Sequence, residues 1–283
     1  MTTPPTGKSL LGVETDQEWL EILARSVREP VIAGVHMPRW PLAAVQENFV
    51  GSADELSLQE AGAFFRAVKA YAERLANPLR ATSSVLDFGT GWGRYPRLLW
   101  GDVAAENIHG VDVDGDILAT CRHLGVPGRF SQIAPRGSLP FEAESFDLVI
   151  AYSVFSHLPE DVARHWMAEL RRVARPGCIL AYTTEPRRFL TFVQDLPAQP
   201  QTAWHALLGR FRDQVPEALA AFDRGEFVFL PTSGGDHLDA SIYGDAVVPP
   251  SYIEREWCEG FRLVRYLDDP AQFWQALVVA QRL

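Results

Sequence analysis

Residues 85–94 read VLDFGTGWGR: a short apolar strand runs without a linker into three glycines at alternate positions, Gly89, Gly91 and Gly93. Glycines at the end of a strand let the backbone turn sharply and let a ligand approach more closely than a Cβ permits. The next strand, NIHGVDV, ends at Asp112, about twenty residues on, where a carboxylate can accept both hydroxyls of a ribose. The string therefore predicts an α/β chain that holds a nucleoside-containing ligand at the carboxyl ends of its strands.

The surrounding pattern agrees. SSVLDF, NIHGVDV, SFDLVIAY and GCILAYTT read as strands, separated by amphipathic helical segments at 93–101, 115–124 and 160–174. Crossover helices are what join parallel strands, so this alternation predicts a Rossmann-like, doubly wound, mostly parallel sheet covered on both faces. Before it, 1–10 reads as a flexible tail, 16–28 as a short amphipathic helix and 29–52 as an extended arm. Ser52 and Asp54 offer start signals for a long helix over 57–76. After Glu185 come a helical stretch at 203–222, an acidic Gly- and Pro-bearing stretch at 223–250, a short helix at 250–258 and two strand-like runs, FRLVRYL and FWQALVVAQ. The expected organisation is an N-terminal arm with helices (1–80), a cofactor-binding core (81–185), a substrate-covering appendage (186–258) and the final strands of the core sheet (259–283).

Composition narrows the partners. The 26 Lys and Arg against 36 Asp and Glu leave a net charge of −10, which repels phosphate backbones and anionic lipid. Between 223 and 269 there are ten acidic residues against four arginines. The N-terminus lacks the apolar core of a signal peptide and no apolar run is long enough for a membrane span, so no nucleic acid and no membrane are expected, and the cytoplasm is the default compartment. Cys121, Cys178 and Cys258 have no CxxC spacing, which indicates neither a disulfide framework nor a zinc site. DVDGD at 112–116 alternates carboxylates like a calcium loop, but its twelfth position is His123 rather than a glutamate, so no metal is expected.

Spacing also bears on which nucleoside is bound. A dinucleotide fold wants G-x-G-x-x-G, but Arg94 stands where the third glycine would fall, which disfavours a nicotinamide-dependent oxidoreductase. Asp87, inside the strand end, sits badly beside a pyrophosphate and suits a ligand presenting an amino group. The segment resembles motif I of the class I S-adenosylmethionine-dependent methyltransferases. LPFEAESFDLVIAYSVFSHL (139–158) and RRVARPGCILAYTT (171–184) resemble that family's passages around its fourth and fifth strands. Beyond them, GVHMPRWPLAAVQENFVGSADEL (34–56) and GEFVFLPTSGGDHLDASIYGDAVVPPSYIEREW (225–257) are similar to a bacterial group met near sugar-modification and secondary-metabolite genes.

The resemblance implies S-adenosyl-L-methionine as cofactor. It places Asp87 and the three glycines around the methionine portion, Asp112 with Val113 at the ribose, and Ala151, Tyr152 and Ser153 beside the reactive methyl; the family's adenine-binding acid is absent from QIAPRGS (132–138), which leaves Gln132 or backbone groups to meet the adenine. It implies transfer to an oxygen or nitrogen of a small polar acceptor, of the sugar or aminosugar type; a catalytically silent cofactor-binding regulatory partner is the alternative. A hydroxyl acceptor needs a base, for which His157 after the fourth strand, His237 in the acidic stretch and Tyr243 in the YGD turn are candidates. Glu226, Asp236, Asp239 and Asp245 are candidates to receive an ammonium or sugar hydroxyls. The oligomeric state is not legible.

Overall fold

The computed structural model describes residues 3–232, 239 and 241–283. The chain divides into two compact units, the first made of Met1–Ala151 with Val173–Ala181 and the second of Tyr152–Arg172 with Tyr182–Leu283.

The first unit is ordered from its start. Where a flexible tail was expected, Gly7–Leu11 forms a helix (α1), capped reciprocally by Thr6 and Ser9. Its Lys8 is buried and pairs with Asp16 and Asp102, and Lys69 pairs with the same two carboxylates. Two partly desolvated ammonium groups persist there because each meets opposite charge from both sides. These partners are far apart in sequence, which is why residues 1–10 read as a tail. The expected helix at 16–28 is α2 (Asp16–Ser26), opened by a Thr15–Glu18 capping box.

The expected extended arm is instead a short hairpin, β1 (Val31–Ile32) with β2 (Val35–His36), and a helix, α3 (Ala43–Val50). The long helix is α4 (Asp54–Arg74), and it buries Leu58, Ala61, Phe64, Phe65 and Val68 along the stripe expected of it. Neither expected start signal caps it. Gln46 holds the main chain and carboxylate of Asp54, and Ser52 donates to Glu60.

Then come β3 (Val85–Phe88), α5 (Arg94–Leu99), β4 (Ile108–Asp112), α6 (Gly115–His123), β5 (Arg129–Gln132) and β6 (Phe146–Ala151). β3 lies parallel between β4 and β6, and all four of its residues are buried, as a strand covered on both faces must be. β5 escaped the sequence reading because RFSQ is a partly exposed edge strand with no apolar run.

β7 (Ala174–Thr184) carries the chain onward into the second unit. There α7 (Glu160–Val173), α8 (Arg187–Asp195), α9 (Ala203–Gly209) and α10 (Val215–Asp223) are followed by an antiparallel pair, β8 (Val228–Leu230) and β9 (Asp245–Val247). A helical turn, α11 (Pro250–Tyr252), widens at Ile253–Trp257, and β10 (Phe261–Leu267) pairs antiparallel with β11 (Ala276–Arg282). The seven-stranded sheet has the order β10-β11-β7-β6-β3-β4-β5, so the mostly parallel α/β architecture is as expected. The stretch 203–222 is two helices rather than one, since Pro216 opens a new first turn. α8 was not foreseen, although Phe189, Leu190 and Val193 give it a buried face on a core with Leu208, Val215 and Val247. No described helix is long and apolar enough to cross a membrane.

Candidate functional site

The first unit builds a cradle from the end of β3. Gly89, Gly91 and Gly93 all adopt positive φ, the left-handed region that a side chain disfavours. Main-chain bonds fix the loop: Gly89 and Thr90 both donate to the Val111 carbonyl at 2.9 Å, and Gly93 donates to Thr90. Asp112 grips the loop from β4. One of its carboxylate oxygens accepts from the Gly91 amide at 2.9 Å and the other from the Asp114 amide at 3.1 Å. Asp114 then caps α6, so the acidic run after β4 starts a helix. Gln132 Nε2 donates to the Val113 carbonyl at 2.9 Å, which brings those two expected residues together.

Asp87 is the buried acid of the cradle that is only half satisfied. Its side chain is 1% exposed. Oδ2 accepts from the Thr90 hydroxyl at 2.7 Å, while Oδ1 has no partner among the described residues. Burial raises its pKa to about 7, with the charge of Asp112 adding to the shift. The buried Arg94 offsets part of that shift but does not bond the free oxygen, so Oδ1 is short of a hydrogen-bond donor, and an amino group meets that need.

Arg97 was not singled out in the sequence. It is fully buried, donates to the carbonyls of Trp92, Gly93 and Arg39, and lies beside both the Trp40 and Trp92 rings, at 5.2 and 5.1 Å from their centroids. Burial lowers its pKa to about 10. It clamps the glycine loop from behind. Nothing in the string YPR marks that role, because its three carbonyl partners are set by the fold.

The second unit holds a polar cluster around His157. The ring Nδ1 lies 2.8 Å from the Gly244 carbonyl. A carbonyl only accepts, so Nδ1 carries a proton and Nε2 of the neutral ring presents a lone pair. That lone pair faces Ser153 Oγ at 3.1 Å. Tyr243 stacks on the imidazole at 4.6 Å and 11°. Burial, with the charges of Asp245 and Glu185, pushes the Tyr243 hydroxyl well above its ordinary pKa, which speaks against it as a base and for a role in packing the ring. Asp245 is buried on β9, accepts from Thr232 at 2.6 Å and stands 3.7 Å from His157 Nδ1.

Ser153 adopts φ +57, and its amide donates to Thr183 Oγ1 at 2.7 Å. Ala151, the last residue of β6, is buried, and Tyr152 is half-buried. Gln275 is the hub of the cluster and was not foreseen. Its Oε1 accepts from Thr183, and its Nε2 faces Ser153 Oγ at 3.1 Å, Ser156 Oγ at 3.0 Å and Glu185 Oε1 at 3.0 Å. His237 and Asp236 lie outside the described residues. Glu226 is exposed and paired with Arg224, and Asp239 caps its own turn through Ser241, so neither joins the cluster.

Residues 85–177 match the family described as a methyltransferase domain. The chain is 31% identical over 163 residues to the malonyl-[acyl-carrier protein] O-methyltransferase of Enterobacter lignolyticus (strain SCF1), across 55% of this chain and 60% of that protein. It thus spans less than two thirds of the length of that curated relative. In fold it is similar to an S-adenosylmethionine-dependent methyltransferase from Mesorhizobium loti, with a TM-score of 0.52 at 19% identity over 78% of this chain and 98% of that one. The fold is that of the class I, Rossmann-like methyltransferases.

Proposed function

We propose that this chain is an S-adenosylmethionine-dependent methyltransferase acting on an oxygen of a small polar acceptor of the sugar or aminosugar type. The observation that carries the proposal is Asp87: a buried carboxylate with one bare oxygen, set beneath three positive-φ glycines and beside Asp112. These residues fit a ligand that joins an amino group to a ribose. The methyltransferase-domain match over the same residues supports it, as does the oxygen acceptor in the relative's name.

S-adenosylmethionine, when bound, supplies an electrophilic methyl group on a sulfonium. Asp87 and the loop would hold its amino acid portion, Asp112 its ribose hydroxyls, and Val113 with Gln132 the side toward the base. The protein's remaining tasks are alignment, exclusion of water and removal of the acceptor's proton. His157 Nε2 would take the proton the acceptor oxygen sheds as that oxygen accepts the methyl group, the carbon–sulfur bond breaking to leave a neutral thioether. The Gly244 carbonyl keeps the other ring proton in place, Tyr243 holds the ring plane, and Asp245 favours the imidazolium that forms.

Calorimetry of the folded chain with S-adenosylhomocysteine and with NAD tests the proposal. Binding of the first and not of the second is expected; a folded chain that takes no S-adenosylhomocysteine sinks it.

A further inference from the structure

The buried polar residues described in the second unit are Ser156, Thr183, Thr184, Glu185, Thr232, Asp245 and Gln275. They are hydroxyls, one amide and two carboxyls. No lysine, arginine or histidine is among them. Carboxyls taken out of water without a cation are costly, and folded chains retain them where a ligand completes the pair or a proton neutralises the charge.

Glu185 is the more exposed of the two to that cost. Its backbone is fixed at the end of β7, where its amide donates to the Ala246 carbonyl at 3.2 Å and its carbonyl accepts from the Val248 amide at 3.2 Å. The side chain is 2% exposed. Oε1 accepts from Gln275 at 3.0 Å; Oε2 receives no donor among the described residues. Asp245, by contrast, has Thr232 at 2.6 Å and the His157 ring at 3.7 Å. The charged and titratable groups acting on Glu185 are Asp245 from β9, Tyr243 from the turn before it, Tyr266 from β10 and Arg188 from α8. Arg188 is spent on Asp268 at 2.6 Å. Through Gln275 and Ser153, Glu185 belongs to the same hydrogen-bonded cluster as the His157 ring, and the cluster reaches solvent at Ser153, His157 and Tyr243, its partly exposed members.

We propose that Glu185 is the specificity-determining residue for the acceptor, its bare Oε2 receiving a protonated amino group, so that the substrate is an amino alcohol of the aminosugar type whose hydroxyl is methylated. The inference rests on the methyltransferase reading and narrows it. It also separates this chain's acceptor from a carboxylate such as a malonyl group, for which the cluster offers two buried acids and no buried cation. In the free chain, burial raises the Glu185 pKa to about 8, so near neutral pH the carboxyl keeps a proton. Arrival of an ammonium ionises it, the carboxylate and ammonium pair, and one proton leaves to solvent, so charge balances.

Three hexoses that share a ring test this: D-glucosamine, D-glucose and D-glucuronate, titrated into the unmodified chain saturated with S-adenosylhomocysteine. D-glucosamine is expected to bind at least ten-fold more tightly than either other sugar. Calorimetry in buffers of different ionisation enthalpy should show release of close to one proton at pH 7. Glu185→Gln should erase the preference while leaving D-glucose binding within about two-fold. Equal ranking of the three sugars, absence of binding by all of them, or a preference that survives in a folded Glu185→Gln chain overturns the proposal. The ranking on the unmodified chain decides the matter even if the variant does not fold. Saturation by S-adenosylhomocysteine without an ammonium preference removes this inference alone, whereas failure to bind S-adenosylhomocysteine removes the methyltransferase reading.

Discussion

The two units bury their charge in opposite ways. The first hides cations, Lys8, Arg94 and Arg97, and among its acids buries Asp87 just as fully; the second hides only carboxyls, Glu185 and Asp245, with no described cation beside them at the same depth. They also differ in how their sites are encoded. The cradle is drawn from one run, 85–94, closed by Asp112 on the neighbouring strand. The polar cluster is assembled from 153–157, 183–185, 232, 243–245 and 275, segments joined only by the fold. A loop held by its own glycines is a local property, while a cluster that depends on five separated segments is a tertiary one.

The largest effect is expected at the loop. Gly91 has φ +50, and an added Cβ would lie 3.4 Å from the Phe49 ring, so the chain itself tolerates the atom at a strain of about 1–2 kcal/mol. The ligand would not. Gly91→Ala should weaken S-adenosylhomocysteine by at least about 10²-fold (~2.7 kcal/mol) in calorimetry, with the fold retained by circular dichroism. Normal affinity would show that the glycines serve the turn and not a ligand.

The same contrast explains what could be read in advance. The strand alternation, Asp87, the glycines and Asp112 were legible because each is tied to its neighbours by strand order, which periodicity reveals. Gln275 and Glu185 were not. One lies in a short segment before β11 and the other at the end of an apolar strand, and only the fold brings them within 3.0 Å. Tyr243 differs from its expectation for the same reason: a turn such as YGD suggests a free hydroxyl, but its ring stacks on His157 and desolvation holds the hydroxyl well above its ordinary pKa. Gly110 is a quieter signal that was missed. A Cβ there would meet Phe130 at 2.7 Å and Thr90 Oγ1 at 2.9 Å, so this glycine in β4 makes room for the hydroxyl that bonds Asp87.

At the second unit, His157→Ala should lower turnover by about 10²-fold while S-adenosylhomocysteine affinity stays within about three-fold. That split places the residue in proton removal. A parallel loss of cofactor affinity would merge the two sites and break the contrast between them.

Stability against pH provides a finer test. Asp87 has a folded pKa raised to about 7, above the 3.8 of an unperturbed aspartate. Between those values the folded chain keeps a proton that the unfolded chain has released, so stability falls as pH rises from about 4 to 7 and is level beyond. Asp87→Asn removes the ionisation but still accepts from Thr90. The variant should be more stable than the parent by roughly 1–3 kcal/mol above pH 7 and equal to it below pH 4, in urea unfolding, while binding S-adenosylhomocysteine at least ten-fold more weakly. An asparagine that destabilises at every pH would mean the carboxyl is satisfied within the chain, and its bare oxygen would no longer point to a ligand.

The smallest effect belongs to the acidic surface of the second unit. The excess of ten acids over four arginines at 223–269 suggested a face that attracts a cationic or hydroxyl-rich acceptor. Arginines from within and outside that segment meet much of it: Arg187 with Asp223, Arg224 with Glu226, Arg164 with Glu256, Arg171 with Glu259 and Arg188 with Asp268. Such largely solvent-screened pairs contribute little to stability and leave little field to steer a ligand. Only Asp245 among the described acids of that segment is buried. Glu226→Gln should therefore leave D-glucosamine affinity unchanged within about 1.5-fold and shift the melting temperature by less than about 2 °C. A several-fold loss of affinity on Glu226→Gln would move recognition of the amine from the buried carboxyl to the surface, and Glu185 would then be a packing residue whose bare oxygen the fold merely tolerates.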